Sequence, residues 1–103
     1  MNERRVGMAE FMFFMHADAP RTRDEDWPPY FAKLRAAGVF EGGSAIGAGS
    51  CERKHGAPPP LSKQISGYIR VSAKDLAEAR VWLAGNPVYE AGGTVEIREL
   101  PRD

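Results

Sequence analysis

Asn86-Pro-Val-Tyr-Glu-Ala-Gly-Gly-Thr-Val-Glu-Ile-Arg-Glu-Leu100 is the stretch whose reading decides the architecture. Its first half predicts the end of a helix at an Asn-Pro turn, with Gly92 and Gly93 supplying the reversal. Its second half sets Val95 and Ile97 against Glu96 and Arg98, the period of a half-buried strand over Thr94–Leu100. A helix followed at once by such a strand closes a sheet, so the preceding residues must supply its neighbours.

Gln64–Ser72 is the first of these. Ile65, Gly67, Ile69 and Val71 alternate with Ser66, Tyr68, Arg70 and Ser72, which predicts a strand with one apolar face. Ser72 then stands as N-cap of a helix from Ala73 to about Ala84, with Asp75 three residues on as an acidic capping-box partner. Leu76, Ala79, Trp82 and Leu83 share one face of that helix, and Gly85 is placed to stop it. Further back, Ala9–His16 is apolar on both parities: Phe11, Phe13 and Met15 on one, Met12 and Phe14 on the other. That is the pattern of a central strand covered on two sides.

Between these strands, Asp18–Asp26 is a charged loop containing Pro20. Asp24 or Asp26 caps a helix over Trp27–Ala37, and Pro28 is tolerated in its first turn because its missing N–H would be unpaired there. Trp27, Phe31 and Leu34, with Tyr30 and Ala37 beside them, form its apolar stripe, and Gly38 ends it. Val39–Gly49 reads as a strand weakened by glycines 42, 43, 47 and 49, which call for bulges or close backbone approach. Residues 51–63, with Pro58–Pro60, form a loop, and Met1–Gly7 is a frayed, disordered terminus.

The order strand, helix, strand, strand, helix, strand predicts an α+β, ferredoxin-like βαββαβ sandwich: one domain over 1–103, a four-stranded antiparallel sheet and two helices on one face. The helices cover Phe11, Phe13, Met15, Ile65, Ile69, Val71, Val95 and Ile97. Met12, Phe14 and Tyr68 are left on the open face, and a second copy laid against it is the simplest cover, giving a homodimer.

The 103 residues are 43% apolar and 27% charged, ordinary values for a globular chain. Fourteen basic residues balance fourteen acidic ones, which removes the electrostatic footprint of a nucleic-acid binder. Cys51 stands alone, so no intramolecular disulfide forms and a reducing cytoplasm is the natural location. Glu10 interrupts the apolar run near the N-terminus, which therefore reads as a strand and not a signal peptide. Nothing approaches the roughly 18 apolar residues that a membrane span needs.

From Ser66 onward, Gly67-Tyr68, Asp75-Leu76, Glu78-Ala79, Trp82, Asn86-Pro87-Val88-Tyr89-Glu90-Ala91-Gly92 and Val95-Glu96-Ile97 resemble the YCII-related family, which includes the DGPF-domain proteins. The N-terminal strand followed by Trp27, Tyr30 and Leu34 is compatible with it. The resemblance implies a dimeric α/β-barrel assembly of ferredoxin-like units and, in some members, a dehydrochlorinase-like activity using a His–Asp pair. Carried over by position, that acid corresponds to Asn86 and that histidine to a position near Tyr30. An amide is not a carboxylate base, and a phenol with an ordinary pKa of about 10 is a poor one at neutral pH. Gly56-Ala57-Pro58-Pro59-Pro60 stands where the DGPF signature would be.

His16 is the leading candidate for chemistry, because it ends the first strand on the open-face parity and Asp18, two residues on, can orient an imidazole as general acid or base. The plainer reading is a strand-end histidine bonded to a loop. Tyr68, Arg70, Glu96 and Arg98 share that parity and, with Tyr30 and Asn86, are candidate ligand-binding residues for an anionic or phenolic small molecule. Cross-strand ion pairs filling a dimer interface are the alternative. His55 lies in the Pro-rich loop and reads as solvated, and Cys51 as an inert small residue. No HxxxH, HxH or paired-carboxylate spacing points to a metal, the glycines at 42–49 do not form a phosphate loop, and no cofactor is expected. Two functions follow: binding of a small organic molecule in a cleft beside the sheet, with acid/base chemistry of lyase or dehydrochlorinase type at His16, or a non-catalytic dimeric binding or interaction module.

Overall fold

A computed structural model describes residues 7–102. The expectation for Met1–Gly7 lies outside the described residues except at Gly7, which sits in a turn. Among the described residues the elements are β1 (Ala9–His16), a 3-10 turn (Asp24–Asp26), α1 (Trp27–Ala36), β2 (Phe40–Ala45), β3 (Ile65–Ala73), α2 (Leu76–Val81), α3 (Pro87–Glu90) and β4 (Val95–Leu100). The strands form one open antiparallel sheet in the order β2-β3-β1-β4, an α+β arrangement compatible with a ferredoxin-like fold. β1 is central, as its apolar residues on both parities require.

One face of the sheet carries the core. Phe11, Phe13 and Met15 of β1 and Ile69 and Val71 of β3 are buried against Tyr30 and Leu34 of α1, Ala79 of α2 and Val88 of α3. Val95 and Ile97 of β4 are half-buried against the same cluster, opposite Met15 and Phe13. Full burial of side chains such as Phe13 and Leu34, both at 0% exposure, contributes about 2–3 kcal/mol each. Ile65 is only half-buried, because it pairs with His16 beyond the register shift between Met15 and His16. Ala37 is exposed just past the end of α1, where Gly38, with φ 74°, turns the chain in a conformation glycine adopts without strain.

The second helical segment departs from expectation. Ser72 is not an N-cap: the strand continues through Ala73, whose partner is Ala9, and the Ser72 N–H bonds to the Val39 carbonyl. The cap falls three residues later, where Asp75 Oδ1 accepts from the Glu78 N–H at 2.9 Å and Glu78 Oε1 accepts from the Lys74 N–H at 2.8 Å. α2 then ends at Val81, and Leu76, expected on its buried face, is 42% exposed at its first position. Asn86 does not end a helix but begins one. Its Oδ1 accepts from the N–H groups of Val88 at 3.0 Å and Tyr89 at 3.1 Å, with Pro87 following as a first helical residue that has no N–H to satisfy. The helix expected over 73–84 is therefore the shorter α2, and a second short helix, α3, occupies the expected Asn-Pro turn.

Residues 51–63 contain no helix or strand. The glycines of β2 act as their spacing implies: the pairing with β3 shifts between Phe40 and Gly43, with Gly42 at φ 111°.

Candidate functional site

A cleft of about 580 Å³ lies between α1 and the β2–β3 side of the sheet. Its helical wall follows from spacing. Trp27, Phe31 and Arg35 are four residues apart on α1, and Asp24 stands in the turn before them, so all four fall along one stripe. The opposite wall is Phe40, Gly42–Ala45 and Ser66–Ile69, with Met15 and Val88 at the base. Gly43 lies so close to β3 that a Cβ there would clash with the Tyr68 carbonyl oxygen, and one at Gly67 would meet the Ser44 carbonyl oxygen at 3.1 Å. The two glycines let β2 and β3 approach and put no side chain on the cleft floor.

The wall is a run of rings. Trp27 and Phe31 stack with centroids 5.5 Å apart, and Phe31 meets Phe40 at 5.1 Å. The Arg35 guanidinium stands 5.9 Å from the Phe31 centroid and 5.1 Å from that of Phe40, within cation–π range of both. The cleft thus combines ring faces along one wall with a cation at one end and an acid at the other. Of the residues singled out from the sequence as site candidates, only Tyr68 borders it. Trp27 and Phe31 read as core from their periodicity, and only the glycines at 42, 43, 47 and 49 signalled bulges or a close backbone approach in this segment.

The other candidates divide between the open face and the core. On the open face, His16 Nε2 lies 2.9 Å from Glu96 Oε1, and Arg98 donates to Glu96 Oε2 at 3.2 Å. Asp18, expected to orient His16, is instead occupied: it accepts from the Thr94 N–H at 2.8 Å and the Thr94 hydroxyl at 2.7 Å. The register shift at the end of β1 turns Asp18 toward the start of β4, while Glu96, opposite Phe14, comes within reach of His16. The Thr94 hydroxyl, then its amide, hold the Asp18 carboxyl below its ordinary range, and His16, then Arg98, do the same for Glu96. At the other end of this face Arg70 pairs with Glu10, which raises the Arg70 pKa further, and Ser72 donates to Glu41 at 2.6 Å. Met12, Phe14 and Tyr68 lie between these charged groups, each half-buried.

Tyr30 and Asn86, expected to touch ligand, are buried at 2% and 0% exposure and line neither this cleft nor the second cavity, of about 410 Å³, beside Pro29 and Pro87. The Tyr30 hydroxyl donates to the Trp82 carbonyl at 2.7 Å and fastens α1 to the end of α2. Burial pushes that hydroxyl up to about 12, offset in part by the Asn86 side chain. The Tyr30 hydroxyl and the Asn86 Oδ1 are both spent on backbone groups inside the core, while the Asn86 Nδ2 is buried without a hydrogen-bond partner among the described residues. His55 is exposed and Cys51 half-buried in the long loop. Among the described residues no group of three or more His, Cys, Asp or Glu side chains is placed to hold a metal, and no helix is long and apolar enough to cross a membrane.

No protein-family model matches the chain, and comparison with curated proteins finds no match either.

Proposed function

We propose that the protein binds a small organic molecule in the cleft between α1 and β2–β3, as a homodimer of YCII-related type whose two sheets face each other. The observation that carries the reading is the cleft itself. Its volume of about 580 Å³ falls within the range of roughly 300–1,000 Å³ usual for small-molecule sites, and its rings, bare glycine floor and few polar groups are the expected lining. The dimer is supported by Met12, Phe14 and Tyr68, an apolar strip on the open face framed by ion pairs.

A second reading draws on the His16–Glu96 contact. A second copy over the open face would enclose that pair and support acid/base chemistry of the lyase or dehydrochlorinase type there. A thermal-shift screen against metabolites and haloaromatics tests both. Ala45 is exposed at the cleft, so Ala45→Trp fills the cavity with little else disturbed. Compounds that raise the wild-type midpoint should fail on Ala45→Trp and still act on His16→Ala. If Ala45→Trp responds like wild type, the cleft is not the site; if only His16→Ala fails, the open face is.

A further inference from the structure

The cleft has a polarity that narrows what it can hold. Asp24 stands at the N-terminal end of the α1 stripe and Arg35 at the C-terminal end, roughly 16 Å of helix axis apart, with Trp27 and Phe31 between them. The Arg35 guanidinium stands over the Phe31 and Phe40 rings and, among the described residues, forms no ion pair with any carboxylate. Its N–H groups are therefore not engaged by a carboxylate of these residues. A guanidinium edge offers a carboxylate two parallel hydrogen bonds.

We propose that the ligand class of this cleft is an aromatic carboxylate, its ring against Trp27, Phe31 and Phe40 and its carboxylate on Arg35. The assignment rests on the cleft being the ligand site. The rings supply flat apolar contact to a planar body, and Gly43 and Gly67, packed closely on the facing strand, put no side chain between it and the sheet. Asp24 sets the direction, because an anion at that end would meet a like charge, so the carboxylate is held at the Arg35 end alone. An aliphatic acid would lack the ring contact, and a neutral aromatic would leave the guanidinium edge to water.

Matched probes separate these terms. 2-Naphthoate and its neutral isostere 2-naphthamide are titrated calorimetrically into the full chain, with the Trp27 indole N–H and the Gly43 and Gly67 amides followed by NMR to locate binding. The expected result is that naphthoate binds about tenfold more tightly than the amide, the scale of a partly solvated charge-assisted contact. Arg35→Gln should abolish that preference by weakening naphthoate binding to the level of the amide, and Arg80→Gln, an exposed cation on α2, should leave the preference intact. Equal binding of acid and amide, or a preference that survives Arg35→Gln, overturns the ligand class and leaves the cleft reading standing. Binding of neither probe at those resonances overturns both.

Discussion

Replacing Asn86 with alanine should cost about twice as much as losing an ordinary exposed helix cap. Asn86 is fully buried, and its Oδ1 is the acceptor for two N–H groups, Val88 at 3.0 Å in a buried contact and Tyr89 at 3.1 Å in a partly buried one. An exposed N-cap lost to alanine costs about 1 kcal/mol, because water takes over the freed donors. Here water is excluded from at least one. A buried N–H left unsatisfied costs about 2 kcal/mol and the partly buried one about 1 kcal/mol, while removal of the unpartnered Asn86 Nδ2 recovers about 1 kcal/mol, for a net loss of about 2 kcal/mol. For a chain of 103 residues that corresponds to a fall of roughly 8–16 °C in Tm. The urea midpoint should fall by roughly 1.3 M at a slope near 1.5 kcal/mol per M. Asn86→Ser supplies a shorter acceptor that serves one donor and should lose about half as much. Urea unfolding followed by circular dichroism gives both numbers. A loss under about 1 kcal/mol in Asn86→Ala, or equal losses in the two variants, would refute the account of α3 as a helix held by a buried cap.

Two further outcomes are expected. Asp18 and Glu96 both titrate below their ordinary values of 3.8 and 4.5, through Thr94 and through His16 with Arg98 respectively. A carboxyl whose pKa is lowered on folding adds stability that is complete above its unfolded value and disappears as pH falls through the folded one. The thermal midpoint should therefore decline as pH drops below about 4.5, and less steeply in Asp18→Asn with Glu96→Gln; parallel declines would discount both contacts. Phe14→Glu places a charge in the middle of the open face, so light scattering after size exclusion should read a dimer for wild type at micromolar concentration and a monomer for the variant. A monomeric wild type would remove the proposed role of Met12, Phe14 and Tyr68.

The same contacts mark where the sequence speaks and where it falls silent. β1, β3, β4 and α1 were legible because each is specified by its own period. Alternation at Ile69 and Val71, apolar residues on both parities of β1, and the three- and four-residue steps from Trp27 to Leu34 all follow from backbone geometry within one element. The α+β arrangement follows from the order of such elements. The partner of His16 was not legible: Glu96 is 80 positions away, and the choice between it and Asp18 turns on a register shift of one residue at the end of β1. Asn86 could end one helix or start another, and what decided it was the burial that brings α3 against the core with Val88 inside. The cleft had the least trace of all. Trp27, Phe31 and Arg35 lie on one helix and Gly43 and Gly67 on two strands, and each set reads locally as packing or as a turn. Sequence by itself determined which residues are apolar and at what spacing. Only tertiary structure decided that these rings face bare backbone, because a cavity is a property of two surfaces and neither carries a record of the other.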